Sequence, residues 1–283
     1  MDPCSKMMKD INKISLPRDG SLPSGVALEK RDFLILAGVV LLAAVLILLH
    51  RVWEPEMGRD SSLYLLMIEQ WSCGGFDQVL KVWPNYWIPP LLLYTATVLT
   101  HCGLSPETAA LTVCMSCGIL LPLVSFAIAQ EIFKDKRISF AAALLTALNP
   151  SVIDMSIQVQ RDVPYLFSAG WCIFFIIAAI KRQKWFWWCI AGVVFSAASL
   201  IRLETFEFLP LLGVYFVIVL CKKQQKWHQC LRNLAVFGIS AVAGFALLLC
   251  VTGTFSYMGK GYWQRICEHA TIVYNIYAGD QQK

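Results

Sequence analysis

Seven apolar stretches dominate this chain: Phe33–His50, Thr108–Gln130, Ile138–Ile153, Val163–Ile180, Trp185–Ile201, Phe208–Cys221 and Asn233–Thr252. Inside hydrocarbon every backbone N–H and C=O must find a partner within the protein, so only helices and closed barrels cross a bilayer. These stretches are too long for barrel strands and do not alternate, which selects helices. Composition agrees, with 57% apolar and 15% charged residues, where a soluble domain carries about a quarter charged. The expected fold class is an all-α polytopic membrane protein. An eighth apolar piece, Pro89–His101, is short for a crossing and reads as re-entrant or interfacial.

Charge then sets topology. If Pro89–His101 does not cross, seven spans remain. The basic links Lys134/Lys136/Arg137, Lys181/Arg182/Lys184 and Lys222/Lys223/Lys226/Arg232 then share a side with the N-terminal tail. That side holds two-thirds of the 24 Lys and Arg, whereas with eight spans the bias vanishes. Lys/Arg excess marks the cytoplasm. The expected organisation is a cytoplasmic tail (1–32), a seven-helix module (33–253) with a long first external loop (54–107), and an external C-terminal segment (254–283). The N-terminus is expected inside and the C-terminus outside. No cleavable signal peptide is evident, because some thirty mostly polar residues precede the first apolar run. Trp53, Trp83, Trp87, Trp171, Trp185, Trp187, Trp188 and Trp263 lie mostly near expected helix ends, as an aromatic belt requires. The formal charge of +5 is a topology signal, and nucleic acid is not expected as a partner.

This topology puts two Arg-Asp pairs, Arg59-Asp60 and Arg161-Asp162, on the external face. Ionisable residues at membrane margins are site candidates by default. Locally, Asp60 or Ser61 can cap the adjoining helix, and Asp162 can open the next one with Pro164 in its first turn. Arg202, directly after an apolar span, can snorkel or pair with Glu204 or Glu207. Taken together, Asp60, Asp154, Asp162 and Glu204 offer carboxylates, and Arg161 and Arg202 offer forked donors, at one depth. Carboxylates serve as bases or metal ligands, and Arg matches phosphate oxygens two at a time. A lipid phosphate presents its headgroup at this depth with its tail in the bilayer. By contrast, His50, His101, His228 and His269 form no ligand-like cluster, and each reads as interfacial packing. Cys114-Met115-Ser116-Cys117 lies inside an apolar helix and reads as packing.

The order Arg59-Asp60…Tyr64, Gly74-Gly75, Pro89-Pro90-Leu91, Asn149-Pro150, Asp162…Pro164 and Arg202…Glu204 resembles the membrane glycosyltransferases of the GT-C fold. Within them it is most similar to the bacterial branch grouped with dolichyl-phosphate-mannose protein mannosyltransferases and lipid A aminoarabinose transferases. The resemblance covers roughly residues 30–255. It implies a GT-C-like seven-transmembrane-helix module with juxtamembrane helices in the first external loop. It implies transfer of a sugar from a polyprenyl-phosphate donor to an extracytoplasmic acceptor (a protein, a lipid or a polysaccharide) at a bacterial plasma membrane. In this reading Asp60 matches the catalytic acid of the first loop, acting as base toward the acceptor or orienting it. Asp162 matches an acid of the second loop that in some members helps hold a divalent metal, with Asp154 and Glu204 in support. Arg202 matches a residue near the donor phosphate, joined by Arg161 and, more weakly, by Lys260 and Arg265.

Two departures bear on the metal. Ser61 stands where many members have a second acid, and Trp87-Ile88 where metal-binding members have an acid before Pro-Pro. No cofactor is therefore fixed, and metal-independent transfer is favoured over a divalent metal. Relatives continue with further spans, so the chain reads as a minimal module or as part of a longer protein. Competing readings are an inactive scaffold or partner subunit, and a transporter of lipid-linked substrates. Against the transporter, there is no internal repeat and the long spans carry no charge at mid-bilayer.

Overall fold

The computed structural model describes residues 29–54, 58–83, 88–221 and 226–255. By internal contacts the chain divides into Met1–Ile35 and Leu36–Lys283. Among the described residues the first unit holds only the opening of helix α1 (Lys30–Trp53). The second unit is helical, with no strand among its described residues.

Among the described residues five helical segments are long and apolar enough to cross a membrane: α1, α4 (Pro106–Phe133), α7 (Asp162–Arg182), the Leu203–Cys221 segment and α10 (Trp227–Thr252). The Leu203–Cys221 segment comprises a 3-10 turn, Leu203–Glu207, running into α9 (Phe208–Cys221). A further apolar stretch is a bent pair of helices. α5 (Lys136–Ala147) and α6 (Pro150–Ser156) meet at a 52° bend, where a single helix over 138–153 was expected. The reason is local. Asn149 accepts the Ser151 N–H at 3.0 Å as an N-cap, and Pro150, which has no N–H to give, opens the new helix. α8 (Trp185–Ile201) has 17 residues, about 25 Å at 1.5 Å per residue, and carries no charged side chain. Helices thus stand at all seven apolar stretches read from the sequence, five of them long enough to cross a membrane unaided, and the chain is a multi-pass helical membrane protein.

Pro90–His101 forms a separate 12-residue helix, α3. It packs beside α2 (Arg59–Val82) rather than extending a span. In α2, Tyr64, Met67, Ile68 and Trp71 recur at helical spacing. They bury against Ile88, Leu93 and Ala96 of the α3 region, Ala110 and Leu111 of α4, and Val159. Burying a side chain such as Met67 or Ile68 contributes roughly 1.5–3 kcal/mol. α2 bends at Gly75, whose φ of 73° and ψ of −178° lie in a region that only glycine enters without strain. The helix thus turns along the surface instead of continuing as a straight rod.

α8 is the packing centre of the spanning bundle, pressed between α7 and α10. Its buried face is largely small residues, Ala191, Gly192, Ser196, Ala198 and Ser199. These let backbones approach closely where lipid supplies no hydrophobic drive between helices. Ser196 Oγ donates to the Ala241 carbonyl of α10 at 2.6 Å. A Cβ on Gly192 would stand 2.1 Å from Ser240 Oγ and 2.5 Å from the Phe237 carbonyl. Gly192→Val is therefore expected to push α8 off α10 and to destabilise the bundle by about 1–3 kcal/mol or more. Thermal unfolding in detergent checks this, and an unchanged melting temperature would contradict the close packing.

The two ends of the bundle differ in chemistry. At one end Glu131 is buried between Lys134 (3.1 Å) and Arg182 (3.0 Å). The Arg182 guanidinium lies 4.4 Å from the Trp187 ring centroid, and Lys181 Nζ donates to the Glu131 and Ile132 carbonyls at the end of α4. At the other end Arg51 of α1 meets Glu107 of α4 at 3.0 Å, and the two Arg-Asp segments lie there too. The tryptophans are split. Trp53 and Trp185 are exposed, as a belt requires, whereas Trp188 is fully buried against Phe216.

Candidate active site

Asp60, Leu63, Tyr64, Gln160, Arg161, Asp162 and Arg202 line one cavity of about 300 Å³. Three elements supply them. α2 begins at Arg59, with Gly58 in the N-cap position and no side-chain cap. Asp60 thus sits in the first turn rather than at the cap. Its carboxylate is exposed to the cavity, with no hydrogen-bond or ion-pair partner among the described residues. The neighbouring Ser61 is fully buried, and its Oγ accepts the Val159 N–H at 3.1 Å. This bond pins the first turn of α2 to the segment preceding α7. It fixes Asp60 beside Arg161 and Asp162 across a hundred residues of sequence.

The Ser61 position is where many members of the resembling family carry an acid. Here the small hydroxyl fits a sealed site. Ser61→Ala is expected to leave the buried Val159 N–H unsatisfied, costing about 1–3 kcal/mol, and to loosen Asp60. A lower melting temperature together with slower turnover is the expected result, and neither changing would contradict the role.

Arg202 comes after the last turn of α8 in an extended conformation, φ −150° and ψ 132°, which carries its side chain off the helix end. Its guanidinium donates through Nη1 to Asp162 Oδ1. Nε stands 2.9 Å from Glu204 Oε1, close enough for an ion pair, but the N–H points off the line of a hydrogen bond. Tyr165 presents its ring 5.5 Å from the guanidinium carbon. Burial alone would lower the Arg202 pKa, but Glu204 and then Asp162 outweigh it and hold the pKa above the ordinary value. Arg202 therefore carries a fixed positive charge, braced by two carboxylates, with Asp162 as its direct partner.

Of the residues singled out in sequence, Asp60, Arg161, Asp162 and Arg202 come together, and Glu204 stands behind Arg202. Asp154 does not line the cavity. It lies near His50 and Glu54, with Nε2 of His50 3.6 Å from its Oδ1. Lys260 and Arg265 lie outside the described residues. Gln160 is a lining residue that sequence reasoning missed. An uncharged glutamine in a loop carries no signal until the loop is folded over Ser61.

The cavity does not fit the divalent metal that the resemblance admits at Asp162. Asp162 already accepts from Arg202, and Arg161 brings a second guanidinium to the same space. Among the described residues Asp60 is then the one unengaged carboxylate lining the cavity, too few oxygen ligands for a divalent ion, and the arrangement suits an anion met by the arginines.

A family model described as dolichyl-phosphate-mannose-protein mannosyltransferase matches residues 88–253, more than half of the 283 residues. The match includes Asp154, Arg161, Asp162, Arg202 and Glu204 and begins downstream of Asp60. No curated protein matches the chain. On the extent of that family match, over a bundle of apolar membrane helices, the chain belongs to the dolichyl-phosphate-mannose-protein mannosyltransferase family of GT-C-type membrane glycosyltransferases.

Proposed function

We propose that this protein transfers a sugar from a polyprenyl-phosphate donor to an extracytoplasmic acceptor, with inversion at the anomeric carbon. The observation that carries the reading is the shared cavity, where the Asp60 carboxylate and the Arg161 and Arg202 guanidiniums face the same 300 Å³ of space. In this mechanism the acceptor hydroxyl oxygen attacks the anomeric carbon. Its proton passes to Asp60, and the bond from that carbon to the phosphate oxygen breaks. The donor phosphodiester carries one negative charge and the departing polyprenyl phosphate carries two. Arg161 and Arg202 therefore bind the leaving group more strongly as the bond breaks, and this differential interaction is what accelerates a reaction. Asp162 and Glu204 hold Arg202 in place, so that its position is set before the donor arrives. Lys260 and Arg265 are assigned to the same phosphate by their place after the last span.

The cavity end of the bundle is proposed to face the outside of the plasma membrane, with the N-terminus cytoplasmic, by the Lys/Arg bias. Both Arg-Asp segments and the Arg51–Glu107 pair lie at this end, which supports the seven-crossing topology. The donor's lipid tail would then remain in the bilayer beside the helices while its phosphate reaches the arginines. The test is reconstitution of the purified chain in proteoliposomes with radiolabelled polyprenyl-phosphate sugars and a panel of protein, lipid and polysaccharide acceptors. A new glycosidic bond of inverted configuration is expected. Movement of intact donor across the bilayer without any such bond would overturn the reading.

A further inference from the structure

A second polar cluster stands apart from the cavity lining, where the end of α1 meets α6. His50 and Glu54 are four residues apart at the end of α1, which places their side chains on one face, and Asp154 approaches them from α6. One ligand atom of each lies within 4.8 Å of the others. His50 Nε2 is 3.6 Å from Glu54 Oε2 and 3.6 Å from Asp154 Oδ1.

Those separations are too long for hydrogen bonds. An imidazolium paired with carboxylates closes to about 2.7–2.9 Å. Both separations from Nε2 do match ligands sharing one cation, because ligands each about 2.0–2.2 Å from a Zn²⁺ stand roughly 3–4 Å from one another, and the two carboxylate oxygens lie within 4.8 Å of each other. A second observation points the same way. The Nε2 atom has no contact with solvent and no aligned hydrogen-bond partner, an arrangement that leaves this ring nitrogen facing two carboxylates with its bonding unmet. Gln158 Nε2 reaches Asp154 Oδ1 at 3.4 Å, a supporting contact of the kind that orients a ligating carboxylate. Neutral imidazole with two carboxylates carries two negative charges, which balances a divalent ion. The mixed nitrogen and oxygen set suits Zn²⁺ and its neighbours rather than Ca²⁺ or Mg²⁺.

We propose that His50, Glu54 and Asp154 form a binding site for a divalent transition metal, Zn²⁺ foremost, with the outward position open to water. Its effect is to latch the end of α1 to α6 at the root of the first external loop. The site is independent of the sugar-transfer reading and lies outside the cavity assigned to it. Among the described residues Asp154 connects to that cavity through Gln158, which in turn accepts a hydrogen bond from Gln160.

The test uses the full chain in detergent, stripped with a chelator and titrated with Zn²⁺ alone, and with Co²⁺ as a spectroscopic probe. One equivalent is expected to bind, at least tenfold more weakly in His50→Gln, Glu54→Gln and Asp154→Asn, and unchanged in Asp60→Asn. Co²⁺ is expected to show ligand-field bands without thiolate charge transfer. Glu54 is exposed at a helix end, so Glu54→Gln removes a ligand without touching the core and decides the matter if the other variants fail to fold. Absence of binding, affinity equal to wild type in Glu54→Gln, or thiolate bands revealing cysteine ligation would overturn the proposal. Because the readout is metal rather than transfer, a chain that holds Zn²⁺ yet forms no glycosidic bond contradicts only the earlier reading. One that transfers sugar but holds no metal contradicts only this one.

Discussion

Asp60→Asn is expected to lower sugar transfer by about 10²–10⁴-fold, the usual contribution of a positioned general base, while the protein stays folded. The substitution keeps size and shape and removes only the charge. Asp60 is exposed to the cavity and caps nothing, so the stability cost should stay within about 0.5 kcal/mol, as for other surface changes. A rate measured at saturating donor and acceptor, alongside a melting temperature, separates loss of chemistry from loss of fold. Wild-type turnover in Asp60→Asn would remove it from the mechanism.

Arg202→Ala is expected to act on the donor. It removes a charge-assisted clamp on phosphate, worth about 1.5–3 kcal/mol, hence a roughly ten- to hundredfold weaker interaction with the lipid phosphate. It also leaves Asp162 and Glu204 without the cation between them, which adds repulsion toward an anionic ligand. The apparent affinity for donor should fall while that for acceptor holds. Arg202→Lys should restore only part of the loss, because an ammonium cannot reproduce the forked geometry that meets carboxylate and phosphate together. Equal donor affinity in wild type and Arg202→Ala would show that the phosphate lies elsewhere.

The spans were legible because hydrocarbon leaves so few ways to satisfy a backbone. Length and apolarity sufficed to locate α1, α4, α7, α8, α9 and α10. The break between α5 and α6 was also written locally, in Asn149-Pro150, but a sliding apolar run hides it since both halves are greasy. Charge bias separated α3 from the spans, and the structure gives it a distinct place against α2. The pairing of Arg202 with Glu204 could be anticipated from spacing. Its bond to Asp162 could not, because forty residues of helix intervene and only the α7–α8 packing brings them together. Ser61 and His50 show the same limit more sharply. A serine reads as a cap until a loop folds over it, and a lone histidine reads as interfacial packing until Asp154 arrives from a distant helix.

The central claim is that the cavity between α2, α7 and α8 holds a lipid phosphate, and binding of polyprenyl phosphate to the purified chain tests it without requiring any acceptor. Affinity is expected to drop at least tenfold in Arg202→Ala and to stay the same or tighten in Asp60→Asn, where a negative charge has been removed from the same cavity. Identical affinity for wild type and both variants would contradict the account.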